Sequence, residues 1–357
     1  MEDEGSMLQV VAEEQGTSAS EATLTAHRPP ERSKGPGGWR QVEALPVGLF
    51  AAVMGLTGLS IAWTLAHARY GVPLWLGGAI GLIACATFVA VATGYAAKAV
   101  IAGPAVRAEF RHPIAGNLFG TPLISLLLLP IPVAPLSLTL ARLLWIAGAL
   151  GMTVFAWWVV TRWLSDRQQA AHATPAWIVP VVGLLDVPLA VPVLGLPPMQ
   201  GEMVFALAVG LFFAVPLTTM ILSRLLFETP LPPALQPSLL ILVAPSAVGC
   251  SAYLATTGTV DLFAVALFSI ALFLLAVLLP KLARLGWSCP FRVSWWGVSF
   301  PLAAAAVAAL RIATAQPGLG IDSLALALLA LATAVIAWLL ARTLLGFLQG
   351  ELRTLAQ

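Results

Sequence analysis

Charge is the scarcest commodity in this sequence. Asp, Glu, Lys and Arg make up only 10% of its 357 residues, where an ordinary soluble domain carries about a quarter. Beside 59% apolar residues, that shortage excludes water as the main solvent of the chain. Cysteine is scarce too: Cys85, Cys250 and Cys289 lie far apart, the first two inside apolar runs, a pattern that supports neither a disulfide framework nor a thiolate metal site. His27, His67, His112 and His172 have no ligand-like spacing, so no metal is expected. Enzyme patterns are missing as well: there is no phosphate-cradling GxxxxGK[ST] loop, dinucleotide GxGxxG turn, HExxH helix or GxSxG elbow. No enzymatic activity and no cofactor are expected, and ATP-driven pumping by this chain alone is not. The formal charge of +2 forms no basic patch, so nucleic acid is not an expected partner.

What is present is length in apolar runs. A hydrocarbon core about 30 Å thick needs roughly 20 apolar residues in a helix. Ten stretches qualify, near 46–66, 74–97, 113–131, 142–161, 175–195, 203–224, 238–257, 261–280, 294–311 and 322–341. Before them, Glu2, Asp3, Glu4, Glu13, Glu14, Glu21, Glu31 and Glu43 lie in a polar leader with no apolar segment behind a basic start, so it is not a secretory signal. Residues 1–45 are read as a disordered cytoplasmic tail, 46–345 as the ten-helix membrane domain and 346–357 as a short cytoplasmic tail.

The basic residues test the count, because cytoplasmic flanks carry the excess of positive charge. Ten alternating spans put Arg28, Arg32, Lys34, Arg40, Lys98, Arg107, Arg111, Arg162, Arg167, Arg224, Lys281, Arg284, Arg292, Arg342 and Arg353 on one side, and leave Arg69, Arg142 and Arg311 on the other. Adding or removing one helix in mid-chain would scramble that asymmetry. Both termini are therefore expected in the cytoplasm of a multi-pass protein of the cell membrane, taken to be a bacterial inner membrane.

Proline alternates along the chain. Pro122, Pro180, Pro188, Pro245 and Pro301 interrupt the third, fifth, seventh and ninth runs, Gly55 and Gly58 the first, whereas among even runs only Pro216 is comparably interior. Proline removes a backbone hydrogen bond and kinks a helix, and freed carbonyls in a membrane must face protein or water. The expected fold is all-α: five helical hairpins, each giving a kinked inner helix and a straight outer one, with the odd-numbered helices ringed around a central pore.

One formal charge, Asp186, falls inside the ten apolar cores, with no Lys or Arg in another core to pair with it. A charge at that depth is by default a functional hypothesis. Three readings remain open: a cap on the half-helix restarting at Pro188, a proton-titrating or selectivity group, or a polar residue on a wet pore wall. His112, with Arg107 and Arg111, either anchors the cytoplasmic face or gathers anions at a mouth.

Four segments carry a family resemblance: LPVGLFAAVMGLTGLSIAW in the first run, EFRHPIAGNLFGTP opening the third, PSLLILVAPSA in the seventh and FRVSWWGVSFP opening the ninth. Together they resemble the bacterial tellurite-resistance and dicarboxylate-transporter family, which includes plant slow-type anion channels, over roughly residues 45–345. The resemblance implies a homotrimer in the lipid bilayer, each protomer with its own largely apolar pore of five inner helices, plugged by a phenylalanine of the ninth. The matching residue is Phe300, otherwise readable as core packing. Asn117, Ser246 and Ser299 are candidates to meet the anion with help from half-helix N-termini, Phe50 and Phe119 to narrow the path, and Asp186 to line it. One departure stands in the fifth helix, where plant relatives tend to have a small polar residue after the Val-Gly step and this chain has Gly183-Leu184.

The expected function is channel-like transport of small inorganic or organic anions, gated at Phe300. The alternative is a proton-coupled exporter of dicarboxylates or oxyanions such as malate or tellurite, with Asp186 carrying the proton. A membrane scaffold without transport is the third reading, disfavoured by a ring of broken helices.

Overall fold

The computed structural model describes residues 43–197 and 199–349, apart from the side chains of 285–288. Most of the expected N-terminal and C-terminal tails, with Arg28, Arg32, Lys34, Arg40 and Arg353, lies outside the described residues. Among those described, the regular structure is helical throughout. Ten helices are long and apolar enough to cross a membrane: α1 (Val47–Tyr70), α2 (Leu74–Ile101), α3 (Ala115–Val133), α4 (Leu138–Ser165), α5 (Pro175–Leu194), α6 (Gln200–Phe227), α7 (Pro233–Thr257), α8 (Leu262–Arg284), α9 (Val293–Ala315) and α10 (Leu319–Leu348). The short helix Gly103–Arg111 connects α2 to α3. Gly71, Gly195 and Gly258, with φ of 71°, 54° and 70°, end α1, α5 and α7 in the left-handed conformation that glycine adopts without a Cβ penalty.

Burial separates two classes of helix. In the apolar windows of the odd-numbered helices 61–83% of residues are buried, against 22–33% in the even-numbered ones. Large apolar side chains such as Leu82, Val89, Leu150, Phe212, Val215 and Phe273 stand exposed on α2, α4, α6 and α8. Exposure on that scale fits a lipid surface and not water. The packing closes a circle: α1 touches α3, α3 touches α5, α5 touches α7, α7 touches α9, and α9 returns to α1. Each even helix lies against its odd predecessor and the next odd helix, α10 bridging α9 and α1.

The prolines do something other than kink. Each odd helix contains a 3₁₀ segment that converts to α, at its start in four of them and mid-way in α5: Val47–Leu49 into Phe50–Tyr70, Ala115–Phe119 into Gly120–Leu128, Gly183–Asp186 into Val187–Leu194, Pro233–Val243 into Ala244–Thr257, Val293–Val298 into Ser299–Ala315. Pro122, Pro188, Pro245 and Pro301 all fall in the first turn of the α part, and Pro180 likewise opens the short α segment Val179–Val182. A missing N–H is tolerated in a first turn, so the break is a change of pitch on a continuous helical path.

That path overturns one expectation. Half-helix N-termini were expected to offer free N–H groups to an anion, but the residues before the five α segments, Leu49, Phe119, Asp186, Val243 and Val298, are themselves right-handed helical. The opening N–H of each α segment already donates to a 3₁₀ carbonyl, as Ala244 does to Ile241 and Ser299 to Trp296. An anion in the ring must find other donors.

Candidate functional site: two cavities inside the ring

Two cavities lie along the axis of the ring, and all five odd helices line each. The larger, about 260 Å³, runs from the starts of the odd helices, at Pro46, Ile114, Thr174, Ala234 and Arg292, inward to Phe300. Its wall is mainly apolar. The smaller, about 20 Å³, lies beyond Phe300 towards the far ends of the odd helices and is lined by Gly58, Leu128, Leu189, Ser251 and Arg311 among others. Phe300 and Val248 border both. The Phe300 ring, 8% exposed, thus stands between the two cavities. Gly58 of α1 faces it: a Cβ there would come within 3.5 Å of the ring edge and 2.9 Å of the Ala303 methyl.

Polar atoms without partners collect along this axis. Among the described residues, eight buried side-chain N or O atoms lack a hydrogen-bond partner. Thr174 Oγ1, Asp186 Oδ1 and Ser294 Oγ belong to residues lining the larger cavity, Ser251 Oγ and Arg311 Nε to residues lining the smaller. Buried polar groups are normally satisfied, and each exception calls for water, an ion or a ligand. Most of the exceptions here belong to residues lining these two cavities.

A sequence model of the family described as voltage-dependent anion channel matches residues 44–344. The chain belongs to that family. It is 30% identical over 315 residues to the S-type anion channel SLAH3 of Arabidopsis thaliana, covering 86% of this chain and 49% of the relative. With SLAH2 of the same plant the identity is 26% over 323 residues, covering 88% and 62%, and with an uncharacterized transporter of Methanocaldococcus jannaschii it is 25% over 217 residues, covering 55% and 63%. The chain therefore spans from about half to just under two thirds of the length of these relatives.

Within this anion-channel family fold, the candidates named from sequence separate into two groups. Phe300 and Asp186 border the larger cavity. Asp186, 2% exposed, occupies the position before Val187–Leu194, yet its side chain makes no capping bond; a helical backbone there directs it away from the N–H groups a cap would use. The other five stand outside the lining. Phe50 turns outward, edge-on to Phe88 and Tyr95 of α2 at centroid distances of 5.9 and 6.4 Å. Phe119 packs against Tyr95 and Phe110. Asn117 Nδ2 donates to the Pro113 and Ile114 carbonyls, Ser246 Oγ to the Val243 carbonyl, and Ser299 Oγ to the Trp296 and Ala51 carbonyls. Their hydrogen-bonding capacity is spent on the 3₁₀-to-α junctions. His112 Nδ1 accepts from the Ile114 and Ala115 N–H groups and so ties the start of α3.

Ser251, Thr174, Ser294 and Arg311 went unrecognised in the sequence. Arg311 counted as a flank because α9 was expected to stop there, but the helix continues to Ala315 and holds this guanidinium a turn inside its end. A signal existed: Phe300, Ala304, Val307 and Arg311, all lining the smaller cavity, recur at i, i+4, i+7 and i+11, one face of a helix.

An ion pair shapes the wide end. Glu109, which borders the larger cavity, accepts from Lys98 Nζ at 2.7 Å, the Tyr95 hydroxyl at 2.9 Å and the Val47 N–H at 2.7 Å. Lys98 Nζ also donates to the Leu45 carbonyl. The pair fastens the start of α1 to α2 and the connecting helix. Removing one member strands the other charge, so Glu109→Ala is expected to cost about 3–5 kcal/mol, while a Lys98→Met/Glu109→Leu double variant costs less. Thermal unfolding of the detergent-solubilised protein measures both.

Proposed function

We propose that the chain is a channel for small anions, which pass along the axis of the odd helices through the larger cavity, past Phe300 and into the smaller one. The observation that carries this reading is the set of unpartnered polar side chains lining two cavities that share the Phe300 ring as a border. Family membership and the names of the plant relatives agree with it. On the asymmetry of Lys and Arg, the wide cavity opens to the cytoplasm and both termini lie there, in a bacterial inner membrane. The family resemblance supports three copies per assembly, each with its own passage.

Ion replacement tests the proposal. In proteoliposomes or planar bilayers holding the purified protein, the reversal potential should follow the chloride gradient and ignore a potassium gradient. Absence of anion flux in both wild type and a Phe300→Ala variant would overturn it. Asp186 separates this reading from a proton-coupled exporter. An ionised carboxyl on the wall opposes anions and a protonated one does not, so Asp186→Asn is expected to raise chloride flux at low salt only at pH values where Asp186 carries its charge. Loss of a pH-gradient-dependent uptake in the same variant would favour the exporter instead.

A further inference from the structure

Three arginines lie towards the far ends of the odd helices, and two of them are committed. Arg69 pairs with Asp322, Nη2 to Oδ2 at 3.1 Å and Nε to Oδ1 at 3.2 Å. Arg142 donates to the Leu194 and Gly195 carbonyls at 2.9 and 2.8 Å and so fixes the end of α5. The third, Arg311, borders the smaller cavity with a buried Nε that has no partner among the described residues. Carboxylates at this end are engaged elsewhere or remote from the axis: Asp322 with Arg69 and Tyr70, Asp261 with Tyr253 and the N–H groups of Phe263 and Ala264, Glu202 exposed on the first turn of α6. Among the described residues, no carboxylate is paired with this guanidinium.

Across the same cavity, Ser251 of α7 is 2% exposed, and its Oγ has no partner either. A serine buried in a helix ordinarily returns its hydroxyl to the carbonyl four residues back, as Thr256 does here to Ala252. Ser251, which borders the cavity, forgoes that bond and leaves its O–H without a protein partner. A half-buried guanidinium and a buried hydroxyl, with an unpartnered Nε and an unpartnered Oγ on residues bordering one space, form an incomplete coordination shell whose missing member is an anion. Withdrawing part of a charge from water without a partner is costly, and a counter-ion offsets that cost.

We infer that Arg311 and Ser251 form a binding subsite for one small monovalent anion of halide size, on the far side of the Phe300 ring. The size follows from the cavity: it has about 20 Å³, and about 10–15 Å³ is the least that holds one water molecule. A dicarboxylate does not fit there. Arg311 lies three helical turns beyond Phe300 on the same face, about 16 Å along the axis at 1.5 Å per residue. An ion that clears the ring therefore meets a positive charge before it leaves. The inference rests on the anion-passage reading for its purpose, but its test does not depend on flux.

The purified full-length chain in detergent is unfolded thermally in sodium chloride and sodium gluconate mixtures of constant ionic strength. Chloride should raise the wild-type midpoint in a saturable way. Ser251→Ala should weaken the apparent chloride affinity about tenfold, the loss of one hydrogen bond to a charged group. Arg311→Gln should abolish the chloride-dependent rise, and Arg311→Lys, which keeps the charge, should retain part of it. A purely structural arginine would lower the midpoint of Arg311→Gln in both salts and leave its chloride dependence intact, which overturns the subsite. No chloride dependence in the wild type overturns it too. If Arg311→Gln does not fold, Ser251→Ala and Arg311→Lys decide: unchanged chloride affinity in both sinks the assignment. Chloride flux without saturable binding leaves the passage standing and removes the subsite; binding lost in Arg311→Gln in a protein that carries no flux does the reverse.

Discussion

Replacing Phe300 with alanine is expected to raise anion conductance at least about tenfold, a barrier change of 1.4 kcal/mol or more. The ring borders both cavities and separates them, so the energy of passage is concentrated there. An apolar neck of this kind blocks ions by excluding the water that would hydrate them, and a methyl group in place of the ring lets the two cavities merge. Phe300→Leu should fall between wild type and Phe300→Ala, because a branched aliphatic chain narrows the neck without filling it. Truncating a buried Phe normally costs about 3–5 kcal/mol. Cavities already flank this ring on two sides, so the stability loss is expected at the low end of that range, and the variant should remain testable in bilayers. Single-channel or flux recordings of the three proteins make the comparison; equal conductance in all of them would remove Phe300 from the gate. Chloride binding at Arg311 and Ser251, beyond the ring, should survive the Phe300 change, which separates the neck from the subsite.

The membrane architecture was legible because it rests on long averages. Each span needs a run of apolar residues, and the side assigned to each basic residue depends on the count of spans before it, so a miscounted span would invert every later assignment and destroy the asymmetry that supports ten. The alternation of buried and lipid-facing helices was readable in the prolines, though not their mechanism. Pro122, Pro188, Pro245 and Pro301 mark the start of an α segment that follows a 3₁₀ stretch, and sequence alone distinguishes that poorly from a kink because both place proline inside an apolar run. The site was less legible. Asn117, Ser246 and Ser299 are polar and near junctions, which drew attention to them, but their side chains satisfy the backbone locally. Composition does not reveal whether a hydroxyl is spent on a carbonyl one turn away. Arg311 was missed for a boundary reason: a helix end misplaced by one turn converts a half-buried charge into a flank. The stripe from Phe300 through Ala304 and Val307 to Arg311 carried the information that the boundary concealed.

Gly55→Ala is expected to be the most damaging single methyl added to this protein. A Cβ at position 55 would lie inside the van der Waals envelope of the Ser299 side chain, and Ser299 is wholly buried between Trp296 and Ala51 carbonyls. Neither partner can yield, because Ser299 opens the α part of α9 and Gly55 lies in the first half of α1, in the seam where those two helices close the inner ring. Forcing a methyl into such a contact typically costs about 1–3 kcal/mol, occasionally more, and here the strain falls three residues from Gly58, where α1 faces the Phe300 ring. Gly55→Ala should therefore lower both the unfolding midpoint and the regularity of gating. The complementary exchange supplies the control: Gly55→Ala combined with Ser299→Gly moves the small residue across the seam, restores room for the methyl and should recover most of the lost stability, at the expense of the Ser299 hydrogen bonds. A double-mutant cycle reads the coupling, expected at about 1–3 kcal/mol for side chains in direct contact. Additive single effects would mean that α1 and α9 separate freely at this point, and that the ring is not closed by their contact. Strong coupling, with conductance restored in the double variant, would place the tightest seam of the ring next to its gate, so that the glycines of α1 set the position of Phe300 by deciding how closely α9 can approach.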